Sequence, residues 1–127
     1  MSTKSAVLHQ FFSRFGLDAY EENSIFDMDN PPAYPYITYE NKTDALADND
    51  TAISFSLWYR STSWIDANAK AEAISAYLGQ GGKVLPCDGG YIWIKRDSPF
   101  AQSMGDAADD MVKRKYCSLR VSFLTAN

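Results

Sequence analysis

Thr51-Ala52-Ile53-Ser54-Phe55-Ser56-Leu57-Trp58-Tyr59 is the stretch whose reading decides the fold. Ile53, Phe55, Leu57 and Tyr59 alternate with Ser54, Ser56 and Trp58. A period of two predicts a strand with one buried face and one that meets water or a partner. Directly after it, Ser61, Thr62 or Ser63 can cap a helix that buries Trp64, Ala67, Ala71, Ile74 and Leu78 and stops at Gly79. Alanines at 67, 69, 71, 73 and 76 favour that helix and let it approach a sheet closely.

Toward the C-terminus, Lys83 to Pro86 predicts a strand, and Asp88-Gly89-Gly90 a hairpin turn whose glycines reach positive φ at little cost. Tyr91 to Arg96 returns as the partner strand, and Asp97-Ser98-Pro99-Phe100 is expected to turn the chain away. Val112 to Leu124 alternates again. Cys117, Leu119, Val121 and Phe123 fall on one side; Arg114, Tyr116, Ser118, Arg120 and Ser122 fall on the other.

Toward the N-terminus, Asn41 to Asp50 is polar and is expected to be a mobile loop. Tyr36 to Glu40 predicts a short strand. Leu17 to Pro35, with Pro31, Pro32 and Pro35 late in it, is expected to be irregular. Val7, Leu8, Phe11, Phe12 and Phe15 recur at helical spacing, with Ser2 or Thr3 as cap and Gly16 as stop. His9 falls on that helix's polar side, which favours solvation over catalysis. The elements together predict one α+β domain over residues 1–127: a mainly antiparallel mixed sheet packed by two helices on one face.

Composition narrows the function. A chain of 127 residues, 46% apolar and 22% charged, is one globular domain's worth with a core of its own. A net charge of −4 argues against a general nucleic-acid binder. No run is apolar enough to span a membrane, and no signal peptide opens the chain, which is expected to start near Met1 in the cytoplasm. Cys87 and Cys117 form no Cys-x-x-Cys, and the one histidine cannot complete a zinc site with them. Two reduced thiols are expected, one or both semi-buried.

Candidate chemical motifs fail on detail. Gly79-Gln80-Gly81-Gly82-Lys83 follows a helix rather than opening one and lacks the Ser/Thr after its lysine, so it is no phosphate loop. Asp27-Met28-Asp29-Asn30 begins like a calcium loop, but Pro32 stands at the glycine position and Thr38 at the bidentate glutamate. Asp106, Asp109 and Asp110 could surround a divalent cation, but without a histidine or a substrate pocket the pattern favours an acidic turn in solvent. No Gly-x-Ser-x-Gly elbow or triad pattern is present. No cofactor is expected.

The aromatics carry more information. Tyr34, Tyr36, Tyr39, Trp58, Trp64, Tyr91 and Trp93 exceed what a small core readily hides, and together they suggest a protein–protein surface.

The order of these segments carries a resemblance. Pro35-Tyr36-Ile37-Thr38-Tyr39 follows an acidic stretch, and Ile53-Ser54-Phe55-Ser56-Leu57-Trp58-Tyr59 precedes an alanine-rich helix. Asp88-Gly89-Gly90-Tyr91-Ile92-Trp93-Ile94 leads into Ser98-Pro99-Phe100-Ala101-Gln102, and Val112-Lys113-Arg114-Lys115-Tyr116 closes the series. From about Tyr20 to Leu124 the chain resembles the tail terminator (tail completion) proteins of long-tailed bacteriophages and prophages. The resemblance implies a non-enzymatic structural protein: a hexameric ring that caps the tail tube, ends its polymerisation and offers the head-joining surface. Implied partners are further copies, the tail tube protein and a head–tail connector protein, with no specific nucleic-acid binding and no membrane. The implied location is the host cytoplasm during assembly, then the virion tail or neck.

Charge supplies the candidate contact residues. Residues 111–127 hold Lys113, Arg114, Lys115 and Arg120 and no acid, while Asp44, Asp48 and Asp50 cluster in the loop before the decisive strand. Such asymmetry fits head-to-tail contact between copies, or simply solvated loops beside a polar strand. With Trp58 these seven residues form the expected interface. Rival readings are another head–tail connector component (a stopper or adaptor), a small metal-dependent enzyme using Asp106, Asp109 and Asp110, and a ligand-binding domain with an aromatic pocket.

Overall fold

The alternation of Thr51–Arg60 and of Val112–Thr125 makes these two segments β3 and β6, and ten consecutive residue pairs join them antiparallel, from Thr51 opposite Val121 to Arg60 opposite Val112. The structure, a computed structural model, describes residues 2–22, 24 and 30–127. Around the central pair the chain runs α1 (Lys4–Ser13), β1 (Asp18–Glu21), β2 (Tyr36–Tyr39), β3, α2 (Ile65–Leu78), β4 (Lys83–Cys87), β5 (Gly90–Gly105) and β6. One six-stranded sheet has the order β1-β2-β3-β6-β5-β4. Among the described residues only β1 and β2 are parallel, which makes the sheet mixed. The result is a single small α+β domain with two helices among the described residues. No helix among the described residues is long and apolar enough to cross a membrane.

Period two does the sorting. Ile53, Phe55, Leu57 and Tyr59 of β3 and Cys117, Leu119, Val121 and Phe123 of β6 are buried, and they join one apolar cluster with residues of both helices. In α1, Val7, Leu8, Phe11 and Phe12 are the buried residues. The Phe12 ring stacks on Tyr39 of β2 at 4.4 Å and meets Phe55 of β3 at 5.2 Å. Helix α1 is capped as expected: Thr3 Oγ1 accepts from the Ala6 amide at 3.1 Å. In α2 the buried stripe is Ala67, Ala71, Ile74 and Leu78, and Gly79 ends the helix at φ 66°. Its N-cap is Trp64, with no capping side chain; Ser63 Oγ instead accepts from the Ile65 amide. Trp64 is half-buried against the core rather than inside it.

Two expectations need correction. Within the segment expected to be irregular, Asp18–Glu21 is a strand, in parallel register with Tyr36–Tyr39. Its four residues carry a single buried side chain, Ala19, so they leave no alternation to read. Likewise Asp97–Phe100 does not turn the chain away. It is a bulge: β5 spends Arg96 to Ala101 where β6 spends only Leu119 to Cys117, and pairing then resumes to Gly105. Pro99 has no amide to give a ladder, so the strand loops out around it and re-enters. The hairpin between β4 and β5 sits at the expected turn. At Gly90 a Cβ would lie 2.0 Å from the Leu124 carbonyl oxygen, so only glycine fits there.

Both cysteines are free and fully buried, deeper than expected. Burial pushes the Cys117 thiol up to about 12, and burial raises Cys87 as well. The thiolate is the reactive form, so neither thiol should react in the native protein. The expected outcome with a thiol-specific chromogenic reagent is no fast reaction when folded and two equivalents when unfolded; rapid native labelling would contradict it. Phe12→Ala should cost about 3–5 kcal/mol, read by denaturant unfolding, because it empties a site closed on two ring faces. A loss below about 1 kcal/mol would show that α1 is not seated as described.

Candidate functional site

The residues between the buried ones form the second face of β3 and β6. Tyr36 of β2, Trp58 of β3, Arg114 of β6 and Met104 of β5 are direct cross-strand neighbours in one row. Tyr36 and Trp58 stack at 6.1 Å with ring planes 15° apart. The Arg114 guanidinium lies 4.8 Å from the Trp58 ring centre and 5.4 Å from that of Tyr116. Tyr20 and Tyr34 meet Tyr36 edge-on and tilted, at 6.1 and 5.3 Å.

The row is held by polar neighbours. Trp58 Nε1 donates to Thr38 Oγ1 at 2.8 Å, and Arg114 Nε donates to Ser56 Oγ at 2.9 Å. These bonds fix the ring and the guanidinium in place, so little rotamer freedom remains to be lost on contact. Burial, then the neighbouring Tyr34 and Tyr20, raises the Tyr36 phenol above its usual value, so it is a neutral hydroxyl at physiological pH. A guanidinium on an aromatic face contributes about 0.5–1 kcal/mol where exposed, and more once a partner removes the water. Met104, at the end of the row, is exposed. Chemically this is a preorganised aromatic and cationic surface.

The seven expected charged residues do not form one patch. Alternation divides the basic group. Lys113 lies 5.7 Å over the Trp64 ring, and Lys115 Nζ donates to Asn68 Oδ1 of α2 and to Ser103 Oγ, both at 2.9 Å. Arg114 and Arg120 lie on the opposite side of β6. Arg120 pairs within its own chain, with Asp50 at 3.8 Å and Asp97 at 3.6 Å.

Asp50 is the centre of that second cluster. Lys95 Nζ donates to it at 2.7 Å, and Ser122 Oγ also donates to it. These hydrogen bonds, Lys95 first and Ser122 next, hold its carboxyl below the usual aspartate value. Asp44 and Asp48 stay exposed. Two bonds reach the loop they occupy: the Leu46 amide donates to the Thr125 carbonyl at 2.9 Å, and Lys4 Nζ to the Asp44 carbonyl at 2.7 Å. Asn41–Asp50 therefore lies against the C-terminal end of β6 and the start of α1.

Other expected features resolve simply. Asp109 receives the Arg60 guanidinium, while Asp106 and Asp109 accept amides of Ala108 and Met111 in their own turn. Among the described residues no group of three or more His, Cys, Asp or Glu is placed to hold a metal ion. Asp27, Met28 and Asp29 of the calcium-loop look-alike lie outside the described residues. His9 is exposed, with Nδ1 3.1 Å from the Tyr39 hydroxyl. Of the seven aromatics, Tyr39 is core. Trp58, Trp64, Trp93 and Tyr36 are half-buried, and Tyr34 and Tyr91 are exposed.

The site also contains residues that were not expected. Tyr116 was legible, since it shares a side with Arg114 in the alternation. Met104 was not, because it lies beyond the bulge at Pro99. Neither a family model nor a curated protein matches this chain.

The Asp50 cluster has a defined pH signature. Its folded carboxyl is more acidic than the unfolded one, near 3.9. Its contribution is therefore present above that unfolded value and is lost as pH falls through the folded one. Asp50→Asn should lower stability at pH 7, and the gap to the native protein should close toward pH 2, with thermal unfolding as the readout. A gap of constant size across that range would exclude the ion cluster as its cause.

Proposed function

We propose that this chain is a structural subunit that closes into a hexameric ring, caps the end of a bacteriophage tail tube, stops its growth and presents a surface for head joining. In this reading both helices cover one face of the sheet, leaving the Tyr36–Trp58–Arg114–Met104 row free on the other. That row is the observation that carries the proposal. Fixed tryptophan, tyrosine and arginine side chains are the groups that anchor protein–protein contacts. Sheet residues that are half-buried in one copy gain most when a partner completes the burial. The row is the surface that covers the tube end where the next tube subunit would add. The resemblance in segment order adds the nature of the partner.

The experiment joins two readouts. Size exclusion with mass measurement across a wide concentration range should show a monomer giving way to a hexamer. Tube protein polymerised in its presence should give shorter, capped tubes. Arg114→Glu should leave the fold intact and weaken capping at least tenfold, because it reverses the charge at the centre of the row. A strict monomer at every concentration with unchanged tube length would refute the reading.

A further inference from the structure

Below the bulge, the sheet is five strands wide among the described residues, because β4 pairs with Gly90–Ile94. There, four rows cross it without a break: Asp18, Tyr36, Trp58, Arg114, Met104; then Ala19 to Ser103; then Tyr20 to Gln102; then Glu21 to Ala101. Each row starts on β1 and ends on the far half of β5. Among the described residues neither of those strands has a further neighbour in the sheet. The two ends are matched: four residues each, in the same four rows. They are also opposed in direction. The strand β1 is parallel to β2, and β3, β6 and β5 each reverse the strand before them in the sheet, so β5 runs against β1.

Resting on the ring reading above, we infer that copies join by continuing this sheet: Ala101–Met104 of one copy pairs antiparallel with Asp18–Glu21 of the next. Three observations select this occupant. First, the edges differ in their protection. The edge strand β4 carries Lys83 and Pro86, and β1 is short and acidic, both devices that discourage stray pairing. Ala101-Gln102-Ser103-Met104 has no charge and no proline, and Gln102, Ser103 and Met104 are exposed. It is an open template for another strand.

Second, charge favours β1 of another copy over a second β5. Lys113, Arg114 and Lys115 stand on the strand behind this edge, and none of them makes a salt bridge among the described residues. Asp106, Asp109 and Asp110 lie in the turn beyond these rows, where Asp109 is already taken by Arg60. A two-fold β5–β5 join would set the basic strands of both copies about the same seam. A β1 strand brings Asp18, Glu21 and Glu22, all exposed. Continuing the rows sets Asp18 opposite Met104, beside Arg114, and Glu21 opposite Ala101.

Third, there is room beside the edge. A cleft of about 390 Å³ runs between α2 and the free half of β5, lined by Asn68, Glu72, Phe100, Ser103 and Lys115 among others. Glu21 of the incoming strand enters on this side, where Lys115 bonds neutral Asn68 and Ser103 and Glu72 is the competing acid. Because β1 and β5 are different surfaces, the contact is head-to-tail, as a closed ring requires.

Cross-linking tests the pairing directly. Two cysteine pairs cover both classes of antiparallel position: Asp18→Cys with Met104→Cys, and Glu21→Cys with Ala101→Cys. Cys87 and Cys117 are buried and do not compete. Mixing the two single variants of a pair under mild oxidation should give a covalent dimer for at least one pair. The double variant should give a ladder up to the ring, and Asp44→Cys mixed with Met104→Cys should give none. If rings form by mass but neither pair cross-links, the edge pairing is wrong and the ring reading stands. If the native chain stays monomeric and tubes are not capped, the ring reading fails and takes the pairing with it.

Discussion

The ladder between Thr51–Arg60 and Val112–Val121 is the constraint on which the rest of the structure depends. Ten consecutive pairs at the centre of the sheet leave no freedom to slip, because a shift by one residue would turn Phe55, Leu57, Cys117 and Leu119 to the other side. Burial of those apolar side chains, about 1.5–3 kcal/mol each when complete, holds the register. Residues of both helices join that apolar cluster, and Phe12 of α1 packs between Tyr39 and Phe55 beside the buried Val7, Leu8 and Phe11.

The same register builds the candidate site. Whatever is odd-numbered along β6 below the bulge faces α2, and whatever is even-numbered faces away. A run of three basic residues, Lys113-Arg114-Lys115, therefore cannot act as one patch. Arg114 goes to Trp58 and Tyr116, and its two neighbours go to Trp64 and Asn68. Arg120 is taken up by Asp50 and Asp97, so the charge asymmetry of the chain is partly neutralised inside the subunit. In the proposed reading, what remains for a partner is the aromatic row on one side and the matched strand edges at its two ends.

Much of this was legible in the residues. Alternation located β3 and β6 and their inward sides, glycine turns located the β4–β5 hairpin, and helical spacing located both helices with their buried stripes. Trp58 and Arg114 were expected at the interface and do lie together. Three things were hidden for physical reasons. The strand β1 has one buried side chain and owes its place to parallel pairing with a distant segment. The second half of β5 follows a proline that reads as a stop, although a bulge lets the ladder resume. The loop before β3 is polar and reads as mobile, and no pattern in it foretells the bonds from the Leu46 amide to the Thr125 carbonyl and from Lys4 of α1 to the Asp44 carbonyl. Both hidden strands are sheet edges, where burial is least and the pattern of apolar residues says least.

The central claim is that this subunit is built to close into a ring on the end of a tube. Electron microscopy of the purified protein at high concentration, alone and mixed with tail tubes, tests it most directly. The account predicts closed rings of six-fold symmetry that also sit singly at tube ends. Isolated monomers at all concentrations, or open filaments with bare tube ends, would contradict it.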